Sequence, residues 1–452
     1  MVKTLRLPPE IPGETHLFKL LKHFTNAPYL GAFNSCVSNL PVSLPLEYYT
    51  FDWMLGIAWY EDSVLTKYKR PSNEQNQYDN FHIISDLLCQ NEEMKMGYFT
   101  FEMQEFSTKI KSNLPDAIGN PDPSFWFTPE VIVLCKESHI TITFNNLDVC
   151  REIEDIIYTK TNPSPTHNPP KITFKPFKCQ TSKSEYIDNI QRIQDQIKQG
   201  NFYEINYCIE WTAPYQNQDP VSIWQNIIVP AGSPFSNFIK NQSLYILGNS
   251  PERFLKYSNK TLISQPIKGT AQRHPNNEID KEVATELKDS PKERAEHIMI
   301  VDLVRNDLTK CSIPNTVEVV ELQKVFSFKK VHQLISTVKS QCSPDTPLSQ
   351  IFLDMFPMGS MTGAPKIKAC QFIEKIEKRK RGIYSGTIGW IKPPVTFDLS
   401  VAIRTLIIDK EQNIMSLMAG SAVTIDSDPI KEWEECVLKA KSVLNLISID
   451  ED

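Results

Sequence analysis

The chain has 452 residues, with 48 lysines and arginines against 54 aspartates and glutamates, a net charge of −6. At about 150 residues per domain, that length predicts two or three domains with ample core, and the acidic balance excludes a nucleic-acid footprint or an anionic membrane surface as partner. No run of about 18 uncharged apolar residues could span a membrane, and ten cysteines scattered without a CxxC pair predict reduced thiols in a cytoplasmic protein.

The start, MVKTLRLPPEIPGE, lacks the apolar core of a secretory signal. VIVLCKE from Val131 and HITITFNN from His139 run apolar or alternate as paired strands do. Thr161 to Pro176 then carries five prolines (163, 165, 169, 170 and 176), which remove donors and disfavour helix. This predicts an N-terminal region over 1–160, a connector over 161–178 and a C-terminal domain over 179–452. Ser184 to Gly200 predicts an amphipathic helix, with Ile187, Ile190, Ile193 and Ile197 on one face and Gly200 as its stop. SLYILGNS, RFLKYSNKTLISQP and GIYSGTIGWIKP predict short strands, and helices are predicted at Ser290–Leu308, Ala364–Lys380 and Pro429–Leu446. No GxGxxG or GxxxxGK[ST] is present, which excludes a Rossmann or P-loop phosphate site. The eight histidines have no HxH or HxxxH spacing, so a histidine-rich zinc site is not expected.

Four segments beyond the connector can carry chemistry. In Ser290–Leu308, Ser290 is a natural N-cap with Pro291 at the first helical position. Ser290-x-x-Glu293 fits a capping box, which does not account for Glu296 on the same face. In Asp428–Lys439, Glu432, Glu435 and Lys439 share a face. That reads as Glu-to-Lys pairing on a solvated helix, or as half of an all-oxygen site suited to Mg²⁺. In Gln265–Thr270, Lys268 at a strand end is either solvent-facing or partly desolvated, with a lowered pKa that frees the amine as a nucleophile. Met358–Lys366 and Met418–Ala422 are small-residue segments that read either as generic turns or as loops whose N–H groups approach an anion.

Together these segments resemble the chorismate-utilising enzymes: aminodeoxychorismate and anthranilate synthase components I and the isochorismate and salicylate synthases. The resemblance runs from Thr181 to Asp450. It is carried by SPERF (Ser250–Phe254), PIKGT (Pro266–Thr270), KERAEHIMIVDLVRNDL (Lys292–Leu308), GSMTGAPKIKA (Gly359–Ala369), RGIYSGTIGW (Arg381–Trp390), VAIRT (Val401–Thr405) and DSDPIKEWEE (Asp426–Glu435). It implies an α/β (α+β) fold of two antiparallel sheets packed as a sandwich with helices outside, the N-terminal region contributing strands.

Lysine at 268 resembles the members that aminate chorismate at C4, where anthranilate synthases carry alanine. Glu204 stands where isochorismate and salicylate synthases carry a lysine and where the aminating members carry glutamine. Gln333 replaces a family histidine, and Ala422 replaces the last glycine of an Ala-Gly-x-Gly loop.

The resemblance implies Mg²⁺ held by Glu293, Glu296, Glu432 and Glu435, Glu252 as general acid and Lys268 as nucleophile. Arg404 would clamp the enolpyruvyl carboxylate, with Thr270, Tyr384, Lys439 and the Gly420–Ser421 backbone completing the anion contacts. The product would be 4-amino-4-deoxychorismate, on the way to p-aminobenzoate and folate. No segment reads as a glutamine amidotransferase or a lyase, so ammonia is expected from a separate glutamine amidotransferase subunit and pyruvate release from another enzyme. Anthranilate synthase component I is the first alternative, and a non-catalytic chorismate-binding paralogue the second.

Overall fold

Alternation decides which face each strand buries. In Glu204–Pro214, EINYCIEWTAP, the side chains of Ile205, Tyr207, Ile209, Trp211 and Ala213 enter one hydrophobic cluster. Glu204, Asn206, Cys208 and Glu210 therefore face the other way. In Ser124–Phe127 the same rule sends Phe125 and Phe127 to one side and Trp126 to the other.

The structure, a computed structural model, describes residues 1–6, 13–34, 53–59, 88, 92–118, 124–136, 139–159, 172, 174–231, 233–328, 330–343, 345–392 and 396–443. Its strands form two antiparallel sheets. The first runs, neighbour to neighbour, through Val2–Arg6, His139–Phe144, Val131–Lys136, Trp53–Ala58, Tyr29–Asn34, Phe235–Asn241, Leu244–Ser250, Thr405–Asp409, Ile414–Val423, Glu204–Pro214 and Gly363–Ala364, with Lys178–Cys179 also on Glu204–Pro214. The second runs through Ile267–Gln272, Val331–Gln341, Thr261–Gln265, Arg253–Ser258, Thr396–Val401, Thr387–Lys392, Lys95–Phe99 and Ser124–Phe127, with Glu318–Ser327 also on Val331–Gln341. N-terminal strands enter both sheets: Tyr29–Asn34 pairs with Phe235–Asn241, and Lys95–Phe99 with Thr387–Lys392. Most of the proline-rich segment, 161–171 and 173, lies outside the described residues.

Three layers of apolar contact hold this together. Between the sheets, Tyr29, Phe33 and Met54 of the first meet Met96, Tyr98, Phe125, Phe127 and Trp390 of the second; the Tyr29 ring lies 5.9 Å from that of Phe125. Over the outer face of the first sheet pack helices Gly13–His23, Leu147–Tyr158, Lys183–Lys198 and Pro429–Val443, through Leu17, Leu20, Ile153, Ile190, Ile193 and Trp433. Over the second, helices Pro291–Cys311 and Leu348–Met355 bring Val301, Val304, Leu308 and Phe352 against Leu262, Val338 and Leu399.

The predicted helices form with shifted ends. Ser290 caps Pro291–Cys311 by accepting from Glu293 N, and Asp428 accepts from Ile430 N and Lys431 N at the start of Pro429–Val443. The helix expected over Ala364–Lys380 is shorter, Lys366–Ile376. Gly363–Ala364 pairs instead as a strand with Glu204 and Ile205, and the Glu377 side chain is drawn off to Cys208 N at 2.9 Å and to Arg381 at 2.7 Å.

The Arg381 guanidinium, buried over the Phe101 ring, also donates to the carbonyls of Met361 and Asn206. It thereby joins the Gly359–Thr362 turn to the edge of the first sheet. Met418–Ala422 is not a loop but the middle of strand Ile414–Val423, where Gly420 faces Cys208. A Cβ on Gly420 would come within 2.6 Å of Cys208 Sγ and 2.9 Å of Tyr207 O, so glycine there allows the two strands to approach.

Candidate active site

Lys268 lies on strand Ile267–Gln272, whose register against Val331–Gln341 shifts between Ile267 and Thr270. Its Nζ donates to Glu204 Oε1 at 3.0 Å and pairs with Glu296 Oε2 at 3.3 Å. Glu204 comes from the other sheet and Glu296 from helix Pro291–Cys311, so one ammonium ties two sheets and a helix together.

Burial alone would lower the pKa of this amine, which is the direction read from the sequence. The structure reverses that expectation. The carboxylates of Glu204, Glu296 and Glu435 outweigh desolvation and hold Lys268 above the ordinary lysine range.

Glu252, at 6% exposure, accepts from Ser360 Oγ at 2.8 Å through Oε1. Burial pushes its carboxyl up to about 7, against the opposing pull of Ser360, Lys268 and Lys439. Lys439 Nζ reaches Gly420 O at 2.9 Å and Glu435 Oε1 at 2.5 Å. Burial raises Glu435 as well, but Lys439 and Lys268 bring it below the usual carboxylate range. The Arg404 guanidinium donates to Ser442 Oγ and is lowered by burial against the pull of Tyr384 and Glu435. Burial also holds the Tyr384 hydroxyl protonated well above its ordinary range. Ser421 Oγ pairs with Tyr186 OH at 2.7 Å.

The backbone N–H of Glu293 is capped by Ser290 at 3.4 Å, while its side chain faces the lysine strand. A Cβ on Gly269, whose φ is +86°, would stand 2.9 Å from Glu293 Oε2, so a larger residue would close that approach. Glu293 is raised by burial and then by Glu296, and Glu432 by burial and then by Glu435. Glu432 Oε2 is buried with no hydrogen-bond partner. Lys292 Nζ lies 3.8 Å from Glu296 Oε1. Among the described residues, no three carboxylate, thiol or imidazole groups stand close enough together to hold a metal ion with the side chains as they are.

Each of the catalytic, substrate-binding and metal candidates except Thr270 thus has a contact or an electrostatic link to another member of the cluster. Thr270 is exposed on the lysine strand, opposite Gln333. Gln333 buries Oε1 without a partner, and His332 cannot take its place. Neighbouring strand residues point to opposite faces, and the His332 ring is held by Asp280 at 3.0 Å and Ser327 at 2.8 Å.

Three members were not singled out from sequence: Ser360, Lys292 and His297. Ser360 lies in GSMTGAPK, read as an anion loop or a turn. The segment in fact forms the short helix Gly359–Thr362, and its lysine, Lys366, turns to Asp307 at 2.6 Å.

The chain belongs to the chorismate binding enzymes, whose family model matches residues 48–445. It is 36% identical over 300 residues, 66% of this chain and 32% of the relative, to the chloroplastic aminodeoxychorismate synthase of Arabidopsis thaliana. It is 28% identical over 397 residues, 87% of this chain and 90% of the relative, to anthranilate synthase component 1 of Saccharolobus solfataricus. The crystal structure of anthranilate synthase component I from Streptococcus pneumoniae superposes with a TM-score of 0.69 and 26% identity, over 77% of this chain and 80% of that one. The match spans about a third of the length of the plant relatives. No helix among the described residues is long and apolar enough to cross a membrane.

The Glu252 environment gives a direct expectation. In a carboxyl ¹³C titration, Glu252 should titrate near pH 7. Ser360→Ala, which removes a donor that favours the anion, should move its midpoint to higher pH. A Glu252 midpoint in the ordinary glutamate range near 4.3 would contradict the environment described.

Proposed function

We propose that the chain aminates chorismate at C4, giving 4-amino-4-deoxychorismate, as an aminodeoxychorismate synthase component I. The observation that carries this reading is a lysine at the centre of the cluster, within hydrogen-bond reach of Glu204 and next to a carboxyl that keeps its proton to about pH 7. A nucleophile and a general acid side by side suit displacement of a poor leaving group.

In this reading Glu252 delivers its proton to the C4 hydroxyl, which leaves as water, while Lys268 Nζ bonds to C2 and both conjugated ring double bonds shift toward C4. Lys268 is cationic as it stands, so it attacks only after its proton has left along one of its two carboxylate contacts. Ammonia then bonds to C4, both double bonds shift back, and the C2–N bond breaks to restore the lysine. The sum is chorismate plus ammonia giving aminated product plus water. Arg404 and Lys439, as partly buried cations, bind and orient the substrate carboxylates. Tyr384, Thr270 and the Gly420–Ser421 backbone complete the anion contacts. Ammonia comes from a separate glutamine amidotransferase subunit.

Glu293, Glu296, Glu432 and Glu435 would hold Mg²⁺. The donor set fits: all four are hard oxygen ligands, the unpartnered Glu432 Oε2 needs a charge, and each helix carries two carboxylates that repel. The ion would supply positive charge that neutralises a substrate carboxylate.

The alternative, anthranilate synthase component I, is favoured by the longer coverage of the archaeal relative. Lys268 discriminates between the two. Lys268→Arg keeps the charge but offers no free amine at neutral pH. Lys268→Arg and Lys268→Ala are both expected to lose most C4 amination while still binding chorismate. Amination by Lys268→Arg at the native rate refutes the nucleophile.

The metal assignment has its own readout. Glu296→Ala and Glu435→Ala should each lose the heat of Mg²⁺ binding in calorimetry while keeping the wild-type circular dichroism spectrum. Wild-type Mg²⁺ affinity in either variant would remove that residue from the ligand set.

A further inference from the structure

The Lys268 side chain is held by carboxylates, but its backbone has lost its sheet partner. Between Ile267 and Thr270 the pairing with Val331–Gln341 slips, and Gly269 takes a φ of +86°. Such a bulge lifts residues out of the ladder and re-aims their side chains. It also leaves the Lys268 carbonyl to find another donor.

That donor is His297, 0% exposed, one residue beyond Glu296. Its Nδ1 lies 3.3 Å from Lys268 O and its Nε2 2.6 Å from Ser336 Oγ. The direction of each bond follows from what each atom can do. Lys268 O can only accept, so Nδ1 carries the hydrogen. Nε2 of the neutral ring then accepts, so Ser336 Oγ donates to it. The Ser336 oxygen keeps a lone pair, and that accepts from Gln323 N at 2.9 Å.

Gln323 is the second irregularity of the region. It has a φ of +51° where Glu318–Ser327 slips against the same central strand between Glu321 and Lys324. Its side chain donates to Arg294 O on the helix at 2.7 Å. Two bulges on either side of one strand are thus bridged by a serine and a histidine, and the chain of bonds ends on the nucleophile's own carbonyl.

We propose that His297 is a positioning residue for Lys268. As the Nδ1–H tautomer it fixes the bulge that aims the amine, and it does so without touching substrate. The inference rests on the proposed amination for its kinetic consequence but not for its geometry.

Asparagine at 297 keeps an N–H donor near the place of Nδ1, whereas glutamine keeps one nearer the place of Nε2. His297→Asn should therefore hold kcat within about threefold. His297→Gln should lose about a hundredfold in kcat with little change in KM for chorismate, the scale of an ångström's misplacement. A purely structural histidine would make the two variants alike, and equal kcat values in His297→Asn and His297→Gln overturn the proposal.

An independent readout is the ring ¹⁵N spectrum of the wild-type protein, with the resonance assigned by its loss in His297→Asn. Protonation at Nδ1 is expected, and protonation at Nε2 alone overturns the inference whatever the reaction. Unimpaired C4 amination by Lys268→Ala would instead overturn the nucleophile role of Lys268, anthranilate from the wild-type chain would overturn the proposed function, and either would leave the tautomer result standing.

Discussion

One largely buried ammonium sets the terms for the rest of the site. Lys268 draws Glu204 from the first sheet and Glu296 from the helix over the second, because a charge removed from water must find partners of opposite sign. Its two partners are themselves confined. Glu204 is fixed by the alternation of a strand whose opposite face is wholly apolar, and Glu296 by a helix start that Ser290 and Pro291 define. Side chain, strand and helix are mutually determined, so the geometry does not depend on a flexible loop.

The same economy explains the irregular strands. A regular ladder beside Lys268 would have left no room for Glu293, since the approach depends on Gly269 lacking a Cβ. The bulge that admits the carboxylate frees a carbonyl, and His297 on the same helix as the carboxylate closes the account with a hydrogen bond. Charge, backbone irregularity and helix docking are three views of one packing problem.

Much of this was legible in the sequence. Alternation in VIVLCKE and HITITFNN marked strands that form as expected, and Ser290-Pro291 and Asp428-Pro429 marked the starts of the two carboxylate helices. The motif set gathered nearly all the charged groups of the site. The sign of the Lys268 shift was not legible, because local sequence shows burial but not partners. Glu204 lies 64 residues away along the chain, and only folding brings it to 3.0 Å. For the same reason Met418–Ala422 read as a loop: its small residues mark the close approach of a neighbouring strand as readily as a turn. Ser360 and His297 act through partners 108 and 29 residues away, beyond the reach of any periodicity.

The most direct measurement is the position of new nitrogen in the product when the wild-type chain is incubated with chorismate, ¹⁵N-ammonium and Mg²⁺. C4 amination predicts label on C4 of a ring that still carries its enolpyruvyl group, 4-amino-4-deoxychorismate. Label at C2, with pyruvate released and anthranilate formed, would contradict it.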